Sequence, residues 1–365
     1  MPTTSTDLVV HKKNFAEAEY VETELPSLDG LGPGQALLKV DTFAFTANNI
    51  TYAVLGDAFH YWDFFPAAEG WGRIPVWGFA EVLASTADGL DAGERLYGYL
   101  PMSTHLLIEP GEVKGATFMD VAAHRRERSP LYNQYTLTRK DRGYAEGLEP
   151  LISLFRPLFT TSFLLDDHQA SNDFFGANTV AVTSASSKTS IGLAHLLAKR
   201  KDRITLVGLT SPSNVPFVEG LGYYDTVLAY DNLDTLPVAP VSVVDMAGNA
   251  DVIARLHGHL GDDLRHCSRV GATHWGALGR PGADDTGPKS EVFFAPGYAQ
   301  QRIADWGAAG FQARLGEVWQ QFLPETKGWM SVTQGRGHDA VLDVYRSTLT
   351  NRSNPAEGQI LTLWD

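Results

Sequence analysis

Four short apolar runs in the second half of the chain constrain its fold most strongly. They are TVAVT, ITLVGL, TVLAY and VSVVDM, at residues 179–183, 204–209, 226–230 and 241–246. Each run is continuous rather than alternating, which is typical of a strand covered on both faces of a parallel sheet. Between the first two, residues 190–201 have helical spacing and a basic end that suits a helix C-terminus. The pattern predicts βαβ units and, with right-handed crossovers, a doubly wound Rossmann sheet of the α/β class.

The first hundred residues follow a different pattern. Short apolar stretches at 37–40, 79–84 and 96–100 lie between glycine, proline and aspartate turn signals, which predicts a mostly β domain. Near the end, a helix is predicted over 337–350 and a strand over 359–364. The mixed strand pattern resumes there, so we expect this tail to return to the β domain.

Chain length predicts two domains, because 365 residues exceed what one hydrophobic core usually organises. We expect a β domain formed by 1–155 with 320–365, and a cofactor domain formed by 156–319. The stretch 111–150 fits neither pattern, since HRRERSP and TRKDRGYAEG are polar and charged. It is predicted as an insertion or lid, with a solvated loop as the alternative.

Composition excludes several classes of protein. A net charge of -14 argues against a nucleic-acid partner, because phosphate binding needs clustered lysine and arginine. The sequence has no apolar run of about eighteen residues and no apolar signal core near its start, so we expect a cytoplasmic protein without membrane contact. Cys267 is the single cysteine, which excludes an internal disulfide and a four-cysteine zinc site.

Six segments, in this order, resemble the quinone oxidoreductase and enoyl reductase branch of the zinc-free medium-chain dehydrogenases/reductases. They are 92–100 (AGERLYGYL), 104–110, 159–166 (FTTSFLLD), 220–230 (GLGYYDTVLAY), 243–248 (VVDMAG) and 356–363. The resemblance covers nearly the whole chain outside 111–150 and points to a bacterial subfamily. It implies a Rossmann domain beside a GroES-like β domain, a nicotinamide cofactor and a small-molecule substrate. It also implies a homodimer, because many relatives pair through the cofactor-domain sheet.

The segment 184–192, SASSKTSIG, lies where this family has a glycine-rich turn. Glycines let a pyrophosphate approach the backbone amides at a helix N-terminus. Here hydroxyl residues and a lysine replace most of them, and these can donate to phosphate or cap the helix. The expected phosphate contacts are Ser184, Ser186, Ser187, Lys188, Thr189 and Ser190. The alternative is a well-capped helix that holds no cofactor.

The end of the second run favours NADP(H) over NAD(H). NAD-specific proteins usually place an acidic residue there for the ribose hydroxyls, but no carboxylate follows this run before Glu219. Thr210, Ser211 and Asn214 are expected to receive a 2′-phosphate instead. An ordinary serine and proline turn is the alternative.

Three residues at the ends of the third and fourth runs complete the expected cofactor site. Tyr230 closes the third run, and Ala247 and Gly248 follow the fourth. Such positions approach the adenosine and the nicotinamide in folds of this kind. Turn chemistry at strand ends explains the same residue types.

The histidines and cysteine do not form the catalytic metal pattern of the zinc-dependent relatives. Those relatives carry a cysteine near the segment that here is FAFTANNI (43–50), with a His-Glu pair soon after, and this chain has neither. His257 and His259 are two apart, a spacing that does not place both on one helical face. His60 and His105 are candidates only in principle. No metal is predicted.

Without zinc, the resemblance assigns proton transfer and substrate orientation to a hydroxyl and an amide. Tyr52 is predicted to donate a proton to a carbonyl oxygen, and Asn48 or Asn49 to fix the nicotinamide or the substrate oxygen. The match to the relatives is inexact at Ala47 and Ile50. Packing within a helix is the alternative for Tyr52.

Aromatic residues are unusually dense after this segment. They are suited to a pocket wall for a flat or apolar substrate, although core packing and a subunit surface fit the pattern too. The predicted pocket residues are Phe59, Tyr61, Trp62, Trp71, Trp77 and Phe294.

Together these patterns favour an NADPH-dependent reductase acting without metal on an activated C=C or C=O bond of an enone, enoyl ester or quinone. Two alternatives stay open. One is a cofactor-binding regulator or scaffold without redox turnover, and the other is a non-redox lyase or isomerase on the same fold.

Overall fold

A computed structural model describes residues 2–141, 143–271, 290–350 and 352–365. The chain divides into two compact units. The first comprises Met1–Leu154, Val332–Ser353 and Glu357–Asp365, and the second comprises Phe155–Ser331 and Asn354–Ala356.

Seventeen strands and eight α-helices lie within the described residues. In chain order the strands are β1 (Thr3–His11), β2 (Asn14–Leu25), β3 (Ala36–Phe45), β4 (Trp71–Gly72), β5 (Pro75–Ser85), β6 (Arg95–Pro101), β7 (His105–Ile108), β8 (Thr117–Met119), β9 (Gln134–Leu137), β10 (Thr179–Val182), β11 (Thr205–Thr210), β12 (Thr226–Ala229), β13 (Val241–Asp245), β14 (Leu264–Arg269), β15 (Ser290–Val292), β16 (Ser331–Arg336) and β17 (Glu357–Thr362). The α-helices are α1 (Ala47–Val54), α2 (Pro130–Asn133), α3 (Glu149–Ser171), α4 (Lys188–Leu197), α5 (Val215–Gly220), α6 (Ala250–Leu260), α7 (Ala295–Glu325) and α8 (Gly337–Leu349).

The first unit is mostly β, as its sequence predicts. Its larger sheet has the order β16-β17-β3-β5-β6-β9-β8, with β7 paired to β3, and a smaller sheet has the order β2-β1-β4. The strands predicted at 37–40, 79–84 and 96–100 lie within β3, β5 and β6. The C-terminal helix and strand return to this unit as α8 and β17, and β17 pairs with β3 antiparallel.

The stretch 111–150 is part of this unit's sheet rather than a solvated loop. It supplies β8 and β9, and β9 pairs with β6. The polar, charged sequence of this stretch suggests exposed side chains, but the Arg125 side chain is only 1% exposed. Its guanidinium bonds Asp120, Asn133, Tyr135 and the carbonyl of Tyr132 over 2.7–3.0 Å. The segment is therefore folded around a buried ion pair.

The second unit contains the predicted doubly wound sheet. Its six parallel strands have the order β12-β11-β10-β13-β14-β15, which is the Rossmann order 3-2-1-4-5-6 counted from β10. Every residue of β10 and β13 is buried, as continuous apolar runs require. Cys267 is buried on β14.

Two helices of this unit approach each other closely at Gly192. A Cβ built there would lie 2.8 Å from Ser162 Oγ on α3, so a larger residue would force the helices apart. Helix α4 begins at Lys188, two residues before the predicted start, because Ser187 caps it. The unit extends to Ser331 rather than to 319, since α7 continues to Glu325 and Phe322 stacks on Phe159 of α3.

None of the helices within the described ranges combines the length and apolar character that crossing a membrane requires.

Candidate functional site

The strand order of the second unit reverses direction between β10 and β13, and a buried polar pair lies where these strands end. Thr183 Oγ1 donates to Asp245 Oδ1 at 2.6 Å. The same Thr183 oxygen accepts from the amides of Met246 and Ala247 at 2.9 and 3.0 Å. Open α/β sheets bind their ligands at this kind of switch point, outside the carboxyl ends of the strands. This edge is therefore the candidate cofactor site.

Asp245 organises the turn that follows β13. Its carboxylate accepts from the amides of Ala247 and Gly248 at 3.0 and 3.2 Å. Burial raises the pKa of Asp245, while the Thr183 hydroxyl, the two amides and the positive charge of Arg269 oppose that rise. Ala247 and Gly248 thus lie at the predicted strand end, and their amides hold a buried carboxyl group in place.

Ser184 begins the loop between β10 and α4 with a backbone conformation that glycine normally adopts. Its φ is +47°, in the left-handed region. Its amide donates to the Tyr230 hydroxyl at 2.8 Å, and its carbonyl accepts from the Ser187 amide at 2.8 Å. The structure therefore brings together Ser184 and Tyr230, two predicted cofactor residues that are 46 positions apart.

We expect Ser184→Gly to be more stable than Ser184→Ala by about 1 kcal/mol, because a left-handed conformation costs a residue with a Cβ roughly 1–2 kcal/mol. Both variants lose the hydroxyl, so their difference isolates the backbone conformation. Urea unfolding at constant pH measures it. An alanine variant equal to or more stable than the glycine variant would contradict the left-handed turn.

The remaining serines of the loop use their hydroxyls inside the protein. Ser187 caps α4 by accepting from the Ser190 amide, and it also donates to Ser190 Oγ at 2.8 Å. Ser190 Oγ donates to the carbonyl of Thr183 at 3.1 Å. Ser187 therefore caps α4, and Ser190 bonds the residue that follows β10, so both hydroxyls donate their protons within the protein. Their direct contact with phosphate stays a prediction.

A second polar group joins the loop to the end of β11. Ser186 Oγ accepts from Asn214 Nδ2 at 3.1 Å, and the Thr210 hydroxyl lies 3.4 Å from it. Ser211 begins the short 3-10 turn that carries Asn214. The predicted 2′-phosphate residues and the predicted phosphate loop thus form one group of hydroxyls and an amide beside the first turn of α4.

The first turn of α4 fits an anionic group on two counts. Among the residues that the structure describes, the backbone amides of Ser186 and Thr189 donate to no protein acceptor. Lys188 occupies the first position of the helix and is half-buried. Amides at a helix N-terminus carry partial positive charge and point at an incoming anion. A dinucleotide phosphate therefore has donors at this end of the helix.

In the first unit, α1 carries all three predicted catalytic residues. The Asn49 side chain accepts from the Thr46 amide at 2.8 Å in a capping box and donates to the Pro75 carbonyl at 2.8 Å. Asn49 is therefore committed to holding the start of α1 against β5. Half-buried Asn48 lies four residues before Tyr52 on α1, so the two side chains share one face of the helix.

Tyr52 lies in a cluster of five aromatic residues, which we call the aromatic cluster and which comprises Tyr52, Tyr61, Trp77, Tyr99 and Tyr132. Ring centroids lie 4.8 Å apart for Tyr52 with Tyr61 and for Tyr99 with Tyr132, and 5.0 Å apart for Trp77 with Tyr99. Trp77 Nε1 donates to the Tyr52 hydroxyl at 3.2 Å, and the Tyr61 and Tyr132 hydroxyls lie 3.2 Å apart. Burial raises the pKa of Tyr52, so its phenol stays protonated at neutral pH.

The other predicted pocket residues lie elsewhere. Trp62 packs so closely on Gly56 and Gly72 that a Cβ at either would overlap its ring. The Trp71 and His11 rings pack edge-on with their centroids 5.6 Å apart. The centroids of the half-buried Phe59 ring and the Tyr61 ring lie 6.2 Å apart. Phe294 belongs to the second unit, where it precedes α7. Of the six predicted residues, Tyr61 and Trp77 thus join Tyr52 in one cluster.

Sequence reasoning missed several residues of the polar sheet edge and of the aromatic cluster. Thr183 and Asp245 close apolar runs, and a polar residue at the end of a buried strand is a signal for a buried hydrogen-bonded pair. Tyr99 and Tyr132 reach the aromatic cluster from β6 and α2. Both residues are far from Tyr52 in the sequence, so no local pattern indicated that they contact it.

A family described as "Protein of unknown function (DUF2855)" matches residues 43–354 of the chain. A search with the chain against curated proteins found no match.

Solved structures of similar shape exist at low sequence identity. CurA from Vibrio vulnificus in complex with NADPH is 12% identical with a TM-score of 0.62, covering 99% of each chain. The Etr1p/NADP/crotonyl-CoA complex is 12% identical with a TM-score of 0.58, covering 99% of this chain and 100% of that chain. The yhdH oxidoreductase from Salmonella enterica in complex with NADP is 12% identical with a TM-score of 0.55, covering 98% and 99%. These likenesses confirm the predicted fold, in which a doubly wound parallel sheet accompanies a mostly β domain.

Proposed function

This chain belongs to the family described as a protein of unknown function, DUF2855, and we propose that it is an NADPH-dependent oxidoreductase. The observation that carries the proposal is the polar edge of the parallel sheet, where Ser184, Tyr230 and Asp245 converge beside the N-terminus of α4. The solved structures of the same fold named above were obtained with NADPH or NADP. Fold alone does not fix activity, so the site residues have to support it.

The proposed NADPH site uses residues from four strand ends, those of β10, β11, β12 and β13. The amides of Ser186 and Thr189, with the charge of Lys188, hold the pyrophosphate. Thr210, Ser211 and Asn214 receive the 2′-phosphate in place of the carboxylate that binds ribose hydroxyls in NAD-specific proteins. Tyr230, Ala247 and Gly248 line the adenosine and nicotinamide ends. When bound, NADPH supplies a hydride to an electrophilic carbon of the substrate.

Tyr52 is the proposed proton donor. Its phenol keeps its proton at neutral pH because burial raises its pKa. Trp77 Nε1 donates to the phenol oxygen at 3.2 Å, so the negative charge left after proton loss is partly stabilised. The proton passes from Tyr52 Oη to the substrate oxygen or carbon that gains charge.

The proposed substrates are flat or apolar acceptors with an activated C=C or C=O bond, such as enones, enoyl esters or quinones. The aromatic cluster supports this class, because tilted and edge-on aromatic rings with a few hydroxyl groups favour conjugated molecules that carry one polar atom. Action as a cytoplasmic homodimer is also proposed from the resemblance, and sedimentation of the purified chain tests the dimer.

A second candidate function is a cofactor-binding regulator without redox turnover. Two observations favour it. The hydroxyls of Ser187 and Ser190 donate to acceptors within the protein, and the Tyr52 side chain is only 6% exposed. Such a protein would bind NADPH tightly and reduce no acceptor.

We expect the purified protein to bind NADPH at least about 10-fold more tightly than NADH, and Lys188→Ala to weaken NADPH binding about 10-fold, because charge-assisted hydrogen bonds contribute roughly 1.5–3 kcal/mol. Titration followed by nicotinamide fluorescence measures both constants.

Lys199→Ala is the matched control for this titration. Lys199 follows the far end of α4, is exposed and bonds Gln321 at 2.6 Å. Its loss should leave both constants unchanged. Absence of binding to either cofactor, or an equal effect of the two lysine variants, would remove the proposed phosphate site.

A further inference from the structure

Three side chains with metal-ligating atoms meet at one edge of the parallel sheet, away from the strand ends described above. His168 lies near the end of α3, His266 lies on β14, and Glu291 lies on the edge strand β15. In the β14–β15 pair, Ser268 lies opposite Glu291. His266 is two residues before Ser268, so both point to the same face of the sheet.

We propose that His168, His266 and Glu291 bind one divalent cation of the zinc class. Glu291 Oε1 lies 3.1 Å from His168 Nε2 and 3.4 Å from His266 Nε2. Tetrahedral zinc, with bonds of about 2.0–2.2 Å to nitrogen and oxygen, places its ligand atoms roughly 3.2–3.6 Å apart. Ligand atoms of all three residues lie within 4.8 Å of one another, so small side-chain rotations bring them to one ion.

The surroundings hold the two imidazoles in place. The Phe175 ring stacks on His266 at 3.6 Å with an interplanar angle of 6°, and Phe293 and Tyr298 each lie 5.2 Å from the His168 ring. Such packing fixes ring orientation before a ligand arrives, which lowers the entropic cost of binding. A bound cation would displace one contact, the Ser268 hydroxyl at 2.9 Å from His266 Nε2.

Access to the three groups agrees with the geometry. The Glu291 side chain is 53% exposed, which leaves a path for the ion and a position for water as fourth ligand. The ion would link α3 to the two outer strands of the sheet.

This site differs from the catalytic zinc of related dehydrogenases, for which the chain lacks the ligands near 43–50. His168 is 98 residues before His266, and Glu291 is 25 residues after it. The three residues therefore form no short sequence motif that would predict the site.

The test is a zinc titration of the full chain after treatment with a chelator, using a chromogenic competitor to report free Zn²⁺. We expect one Zn²⁺ per chain and a higher melting temperature with the ion bound. His266→Gln and Glu291→Gln should each weaken Zn²⁺ affinity by more than about 100-fold. Loss of a residue that only supports a ligand costs about 10–100-fold, and loss of a ligand should cost more. Glu291 is largely exposed, so Glu291→Gln should fold normally. It therefore tests the site even if His266→Gln fails to fold.

His338→Gln is the control, because His338 is an exposed histidine of the first unit. It should bind Zn²⁺ like the unchanged protein. Absence of stoichiometric binding, or binding that Glu291→Gln leaves intact, would overturn the proposal. Because the readouts are metal affinity and melting temperature, the result is independent of whether NADPH binds.

Discussion

Replacement of Arg125 by methionine is expected to lower the free energy of unfolding by about 3–5 kcal/mol, the usual cost of removing one partner of a buried ion pair. Arg125 and Asp120 have side chains that are each 1% exposed, and their ion pair measures 3.0 Å. Without the guanidinium, the Asp120 carboxylate is buried without its cation. The bonds to Asn133, the Tyr132 carbonyl and the Tyr135 hydroxyl are lost as well.

The neighbouring Arg126 supplies a matched control for this measurement. It is exposed and bonds only weakly to the Val121 carbonyl, at 3.2–3.4 Å. Arg126→Met should cost less than about 1 kcal/mol, as exposed polar contacts usually do. Urea unfolding of both variants decides the matter, and equal stability of the two would show that Arg125 does not hold the 111–150 segment. Asp120→Asn added to Arg125→Met should recover part of the loss, because it removes the unpaired charge.

Tyr52→Phe is expected to lower kcat by about 100-fold or more while leaving the Kd for NADPH unchanged, because a positioned general acid contributes roughly 10²–10⁴-fold. The raised pKa of Tyr52 sets the pH dependence. A phenol whose pKa lies above its ordinary value stays protonated from pH 6 to 9, so the rate should be flat over that range.

Tyr345→Phe is the control for Tyr52→Phe. Tyr345 is another buried phenol of the same unit, and its hydroxyl donates to the Phe15 carbonyl at 2.6 Å. Its loss should cost about 1 kcal/mol of stability and change kcat less than 2-fold. Full activity in Tyr52→Phe, or an equal loss in Tyr345→Phe, would remove Tyr52 from the mechanism.

The parallel sheet was predictable because its signal is local. A strand covered on both faces must be mostly apolar, and the runs that form β10, β11 and β13 satisfy this without reference to the rest of the chain, while the run that forms the edge strand β12 is only partly buried. Chirality of the crossovers then restricts the order of the strands. The loop after β10 was placed correctly for the same reason, since it follows a recognisable strand and precedes a capped helix.

The parts that sequence did not predict depend on contacts between distant residues. Arg125 is in a charged segment, and only the positions of Asp120, Asn133 and Tyr135 after folding allow it to be buried. The aromatic cluster likewise draws residues from four separate elements and from the 3-10 turn that contains Tyr61. Composition showed that the aromatic residues were abundant, but not which of them meet.

Transfer of deuterium from NADPH labelled at C4 of the nicotinamide would decide whether this fold performs redox chemistry. The protein would be incubated with the labelled cofactor and a panel of enones, enoyl esters and quinones, and the products analysed by mass. The proposed function predicts one deuterium on the β-carbon of a reduced enone or enoyl product, with a lower yield for Tyr52→Phe. Tight NADPH binding with no reduced acceptor would contradict it and favour the regulatory protein, and a product formed without oxidation of NADPH would point to a lyase or isomerase.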